Sequence, residues 1–249
     1  MSEDSNEVMK RWIPFALLIA VVSAFFVFDR QAQPHPGQQP VLVELFTSQG
    51  CSSCPPADEL LRRIAHDPNL RGRAIPLAYH VDYWNHLGWR DPFSSGEWSQ
   101  RQRDYARVMR LESAYTPQIV INGTRQMVGS ASGAIYRAID EESNRAAEGT
   151  VSIRADGGDV VVRASAPRGG LDVMVAVYED GASTKVERGE NGGRTVANDS
   201  IVRKLVRVAR LNGKGDVEER VKLALGAKMG AVAFLQDPKT RRVVAVSMI

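Results

Sequence analysis

Two cysteines are the chain's whole complement, and they lie together as Cys51-Ser52-Ser53-Cys54. The loop that carries them runs directly into Pro55-Pro56-Ala57-Asp58-Glu59-Leu60-Leu61. Proline is tolerated in the first turn of a helix and not beyond it, so the pair sits at a helix start. Free amides and the helix dipole at that position favour a thiolate over a thiol. Cys51, the outer of the two, is expected to be the more accessible and more acidic thiol, and so the attacking nucleophile. Cys54, further into the helix start, is expected to resolve the mixed disulfide. A structural staple is the bland alternative, and a four-residue loop gives it only about 2 kcal/mol. Zinc needs two further ligands, and no second cysteine pair supplies them.

Other residues of chemical type crowd the connection after the second apolar segment: His80, Asp82, Trp84, Asn85, Trp89, Arg90 and Asp91. One reading makes them, with His80, Asp82, Trp84 and Trp89 foremost, a partner-recognising rim around Cys51. The other makes them a loop that packs its own aromatics. Glu190-Asn191-Gly192-Gly193-Arg194-Thr195 reads as a binding loop or a long turn. It does not follow a strand and open a helix, as a phosphate-binding loop must.

The elements that position these residues follow from periodicity. Val41 to Phe46 is a short apolar run suited to a strand buried on both faces. Leu60, Leu61 and Ile64 recur at helical spacing after the cysteines. Ile75 to Val81 is a second strand, and a helix is centred on Arg101 to Leu111. Gln118–Ile121 and Arg125–Val128 flank Asn122-Gly123, a hairpin turn signal. Ser132 to Glu142 closes the unit as a helix. This order predicts an α/β sheet over residues 41–148.

Residues 149–249 change character. Seven segments alternate as strands (Val151–Ala155, Asp159–Ala166, Leu171–Tyr178, Ile201–Leu211, Val217–Leu225, Ala231–Leu235 and Arg242–Met248). Turns such as Arg168-Gly169-Gly170 and Asn212-Gly213 separate them, which predicts an all-β immunoglobulin-like sandwich.

Residues 1–30 carry one uncharged apolar run, Trp12 to Phe28, behind Lys10-Arg11. It falls just short of the roughly 20 residues of a typical membrane helix. An uncleaved N-terminal membrane anchor is the first reading, with the basic pair holding the N-terminus in the cytoplasm. A signal peptide cut near Val22-Ser23-Ala24 is the second. Residues 31–40 (QAQPHPGQQP) read as an extended polar tether. Either way the rest is expected on the periplasmic side of a bacterial inner membrane, or secreted if the segment is cleaved. The 32 basic and 29 acidic residues are balanced and scattered, which argues against nucleic-acid binding.

Residues 41 to about 148 resemble the thioredoxin superfamily. The likeness rests on a strand running into CxxC, the helix after it, and Thr116-Pro117 immediately before the hairpin strand. It implies a cis Thr116–Pro117 bond lying against the cysteine pair. It also implies that Glu44 stands near the place of a buried acid beside the resolving cysteine. A carboxylate in an apolar strand should have a raised pKa and accept the Cys54 proton; an edge-facing or ion-paired Glu44 is the alternative. More closely, the chain resembles a bacterial family of exported thioredoxin-like proteins of unassigned function. That likeness is carried by LFTSQGCSSCPPAD, AYHVDYWNHLGWRDPFSS, YTPQIVING, GENGGRT and IVRKL.

The expectation is therefore a thioredoxin-like α/β domain followed by a β-sandwich, acting as a thiol–disulfide oxidoreductase without cofactor. Cys51, Cys54, Thr116, Pro117 and Glu44 form the expected site, and protein thiols or disulfides, or a small thiol, are the expected partners. The rival is a non-catalytic binding or copper-handling module, since Cys51, Cys54 and His80 resemble the ligands of thioredoxin-like copper-delivery proteins. Soft sulfur ligands do suit copper(I).

Overall fold

The structure is a computed structural model and describes residues 38–249. The expected anchor or signal segment, Trp12 to Phe28, and most of the tether lie outside these residues. Among the described residues no helix is long and apolar enough to cross a membrane.

The first half runs β1 (Val41–Thr47), α1 (Pro55–His66), β2 (Ala74–His80), a 3-10 turn (Asn85–Leu87), α2 (Gly96–Val108), β3 (Gln118–Ile121), β4 (Arg125–Val128) and α3 (Ser132–Ser143). The second half adds β5 (Thr150–Asp156), β6 (Asp159–Ala166), β7 (Leu171–Glu179), β8 (Ala182–Lys185), β9 (Thr195–Asn198), β10 (Ile201–Leu211), β11 (Gly215–Val221), β12 (Met229–Gln236) and β13 (Val243–Met248). The β3–β4 turn is Asn122-Gly123, both in left-handed conformation at φ 44° and 66°. Asparagine and glycine are the residues that adopt it at least cost.

The expected fold class is corrected here. There is no thioredoxin-like domain followed by a separate immunoglobulin-like sandwich. One mixed eight-stranded sheet runs through both halves in the order β13-β12-β7-β10-β2-β1-β3-β4. β1 pairs parallel to β2 and antiparallel to β3, and the free edge of β2 takes β10 at Ala78↔Ile201. Only β11-β6-β5 forms a separate three-stranded sheet, and β8-β9 a short ribbon. The physical reason is visible in β12, where every residue from Gly230 to Gln236 is buried. A strand covered on both faces belongs to the interior of a large sheet with layers on either side. A sandwich strand would expose alternate residues.

The alternation within β1 and β2 assigns side chains to two cores. Leu42, Phe46, Ile75, Leu77 and Tyr79 face α2, with Trp98, Tyr105 and Phe234. Val41, Val43, Leu45, Ala74 and Ala78 face α1 and α3, which supply Leu60, Ile64 and Ile139. A third core fills the space between the small sheet and β7, β12 and β13. Odd positions of β1 and even positions of β2 thus point at the helix that carries the cysteines.

Candidate functional site

β1 ends at Thr47, and Ser48 to Cys54 form the loop that delivers the cysteines to the start of α1. Cys54 is the N-cap and the prolines fill the first turn, where a missing N–H costs no helical bond. The two cysteines are joined in a disulfide with Cα atoms 5.4 Å apart. Neither has any exposed surface. The expectation that Cys51 stands open at the helix mouth is therefore corrected.

Thr116–Pro117 is a cis peptide bond. Thr116 Oγ1 donates toward Cys51 Sγ at 3.4 Å, and its own oxygen accepts from Trp84 Nε1 at 2.8 Å. Pro117 approaches α1 closely: a Cβ on Gly129 would meet both Ala57 Cβ and Pro117 Cβ at 2.9 Å. Only glycine lets that strand end seat against the helix. Ser53 Oγ lies 3.3 Å from Cys51 Sγ, a second hydroxyl at the same sulfur. Hydroxyl donors placed at a sulfur favour its thiolate once the disulfide is opened.

Glu44 does not reach this site. As an even residue of β1 it points with Leu42 and Phe46 toward α2. There Arg101 Nε donates to Glu44 Oε1 at 2.7 Å, and Tyr105 OH donates to Oε2. Arg101 also bonds Gln236 Oε1 and Tyr105 OH, at 3.2 and 3.0 Å. The ion pair is buried, fully hydrogen-bonded, and on the opposite face of the sheet from α1. The proton-relay role expected of Glu44 falls with that geometry.

A different acid lies on the cysteine side. Asp58 sits one helical turn beyond Cys54, its N–H bonded to Cys54 O at 3.1 Å, so the two share a face of α1. Its carboxylate accepts from Thr47 Oγ1 at 2.7 Å. Burial pushes Asp58 up to about 7, against the lowering effects of His80 and the Thr47 hydrogen bond. His80, the last residue of β2, lies beside Thr47 in register on the same face. Its Nδ1 meets Asp91 Oδ2 at 2.7 Å, while Nε2 is buried with no hydrogen-bond partner. Burial alone would lower the His80 pKa, but the charge and hydrogen bond of Asp91, with Asp58, carry it above the usual value. For Asp91 burial is likewise outweighed, here by His80 and by the amides of Gln49 and Phe93, and its pKa falls. Asp58, His80 and Asp91 together form a buried acid–base cluster beneath the cysteine loop.

The expected rim divides accordingly. His80 has no exposed surface to offer a partner. Asp82 spends its carboxylate and amide on Ser99 at 2.5 and 3.0 Å, tying its loop to α2. Trp84 and Trp89, half-buried, lean on the cysteine loop, Trp89 Nε1 donating to Gln49 Oε1 at 3.2 Å. Among the described residues no group of three or more His, Cys, Asp or Glu has the arrangement to hold a metal ion.

Sequence reasoning missed Asp58 and the contribution of the distant Glu190 and Asn191. Asn191 Nδ2 donates to the carbonyls of both Gln49 and Cys51 at 2.9 Å, and Glu190 Oε2 accepts from Ser52 N at 3.0 Å. For Asp58 a signal existed: an acid four residues after Cys54 must share its helix face.

Comparison with known proteins follows from residues 42–236, which match a family model described as a protein of unknown function (DUF1223). The crystal structure of an Agrobacterium tumefaciens protein is similar over 85% of this chain and 94% of its own, at 29% identity and a TM-score of 0.71. HBP35 of Porphyromonas gingivalis shares the fold at 13% identity and a TM-score of 0.59, over 85% of this chain and 75% of its own. No curated protein matches.

Proposed function

From the premise that the chain belongs to the DUF1223 family, a family of unknown function, we propose that it performs thiol–disulfide exchange through Cys51 and Cys54. The observation that carries the proposal is the placing of this disulfide between a hydroxyl at Cys51 and a buried acid one turn beyond Cys54 whose pKa is about 7. Groups titrating near neutrality beside a nucleophile are the mark of proton-transfer chemistry rather than of a staple. The compartment proposed is outside the cytoplasm, where a disulfide persists. Kinship of the site with that of the thioredoxin superfamily belongs to the same proposal. It is supported by the strand–CxxC–helix order and by Thr116 at Cys51 Sγ, and it does not extend to the layout of the chain.

In the reducing half of the cycle an incoming thiolate attacks Cys51 Sγ. The Cys51–Cys54 bond breaks, its electron pair goes to Cys54, and a new disulfide joins Cys51 to the substrate. Protonated Asp58 neutralises the Cys54 thiolate. A second substrate thiolate then attacks the substrate sulfur of the mixed disulfide and releases Cys51 as a thiolate held by Thr116. In reverse, the Cys51 thiolate opens a substrate disulfide and Asp58 takes the Cys54 proton. His80, held by Asp91, lies where its charge favours Asp58 in the ionised state it reaches after giving up its proton.

The test is equilibration of the full chain against dithiothreitol at defined ratios, with both thiol states read by alkylation and mass. The expected result is a reversible two-electron transition shared by Cys51 and Cys54. A disulfide that dithiothreitol opens only after the protein is unfolded would identify a staple and end the proposal.

A further inference from the structure

The connection between β8 and β9, Val186 to Arg194, lies across the cysteine loop although it is remote in sequence. Asn191 is 1% exposed, and its side-chain amide holds two loop carbonyls, one of them that of Cys51. Glu190 takes the N–H of Ser52. The next strand adds Asn198 Oδ1, which accepts from Gln49 Nε2 at 2.9 Å, and Gln49 Oε1 in turn accepts from Trp89. Gly189 lies at φ 78° against the same tryptophan: a Cβ there would meet Trp89 Cβ at 3.2 Å. Neither cysteine has exposed surface, and this connection is bonded to the loop at Gln49, Cys51 and Ser52. In-line attack on Cys51 Sγ requires an open approach along the disulfide axis, so part of what packs around the cysteine loop must move before any thiol can react.

We propose that Val186–Arg194 is a strap that selects the exchange partner, with Asn191 and Glu190 as its positioning residues. The inference rests on the exchange reading above and names the partner class: an extended polypeptide thiol rather than a small thiol. A polypeptide replaces what it displaces, because its own backbone amides bond the carbonyls of Gln49 and Cys51 that Asn191 gives up. A small thiol without amide groups, such as 2-mercaptoethanol, leaves most of that set of buried groups unmatched, and buried polar groups left unpaired are costly. Glu190 adds a bias. Its carboxylate accepts from the amide that follows Cys51, so its negative charge stands one residue from the group that becomes a thiolate, which favours the disulfide.

The experiment compares oxidised wild type with Asn191→Ala and Glu190→Gln. Reductants are 2-mercaptoethanol and reduced, unfolded ribonuclease at equal thiol concentration. Each polypeptide molecule gives two electrons to the pair and leaves with a disulfide of its own. Wild type is expected to react at least about tenfold faster, per thiol, with the polypeptide. Asn191→Ala should react about tenfold faster with 2-mercaptoethanol than wild type does, the effect of one or two lost hydrogen bonds. Glu190→Gln keeps an acceptor for Ser52 N–H and removes the charge. It should lower the Cys51 thiol pKa and shift the equilibrium toward the reduced pair by about threefold at low salt, less at high salt. Because that variant keeps the strap's contacts, it reports even if Asn191→Ala does not fold.

A 2-mercaptoethanol rate unchanged in folded Asn191→Ala, or a wild type that reacts equally with both reductants, overturns the strap and leaves exchange standing. A Glu190→Gln protein with unchanged thiol pKa and equilibrium overturns the bias. Failure of every thiol to open the pair in both variants, with reduction only after unfolding, sinks the exchange reading itself.

Discussion

Replacing Asp58 with asparagine separates an acid that serves the cysteines from one that merely fills space. The side chain is 8% exposed and keeps a Thr47 hydrogen bond that asparagine's carbonyl also accepts. Its pKa lies at about 7 in the folded chain against 3.8 for the free group, an increase of about three units. Between those values the folded state binds the proton that the unfolded state has lost. Stability from this group is therefore complete below pH 3.8 and is lost as pH rises through 7. At 1.36 kcal/mol per unit the loss approaches about 4 kcal/mol by pH 8. His80 acts in the same direction, since its folded pKa also stands above the free value, and the substitution removes only the Asp58 part of that rise while the larger Asp91 part remains. Urea unfolding of the oxidised proteins from pH 4 to pH 9 is the assay. The wild type should lose stability steadily up to about pH 7, whereas Asp58→Asn should lose much less and be the more stable protein at pH 8. Parallel curves would refute the placement of a neutral acid beneath the cysteines.

Three further outcomes follow from the geometry. The same Asp58→Asn protein should be opened by dithiothreitol about a hundredfold more slowly at pH 6 than wild type, the loss expected when a general acid is removed, as stopped-flow alkylation would show. Thr116→Val removes the hydroxyl at Cys51 and should raise that thiol's pKa by about one unit, read from the pH dependence of iodoacetamide labelling of the reduced chain. Arg101→Met leaves Glu44 buried without its cation and should cost about 3–5 kcal/mol in thermal or urea unfolding, while the double change Glu44→Leu, Arg101→Met recovers most of it.

Local chemistry was legible where one short segment decides it. Asn122-Gly123 announces its hairpin because few other pairs adopt positive φ cheaply, and Pro55-Pro56 dates the helix start to within a residue. Choosing the wrong buried acid had a different origin. Glu44 and Asp58 both lie close to Cys54 in sequence, and alternation separates the two faces of β1 without saying which one α1 covers. That is set by how the crossover from β1 to β2 folds over the sheet, a property of the assembled chain. The second half shows the same limit. Periodicity located most of its strands, yet β8 and β9 passed unnoticed because four-residue polar ribbons carry little hydrophobic signal. Strand partners were invisible as well, although the unbroken burial of β12 had a counterpart in its sequence: Gly230-Ala231-Val232-Ala233-Phe234-Leu235 has no polar alternation.

The pairing of β2 with β10 also sets an order of events during synthesis. His80 is made about 120 residues before Ile201 (201 − 80 = 121), so β2 waits with one row of backbone groups unpaired while most of the second half is still being extended. The cysteines wait with it, since Glu190 and Asn191 do not yet exist when Cys51 leaves the ribosome. A growing chain therefore passes through a stage in which its thiols are formed, unguarded and beside an open strand edge. Such stages are where non-native pairing begins. Only the last quarter of the chain brings that interval to an end, giving β2 its neighbour soon after Glu190 and Asn191 bond the cysteine loop.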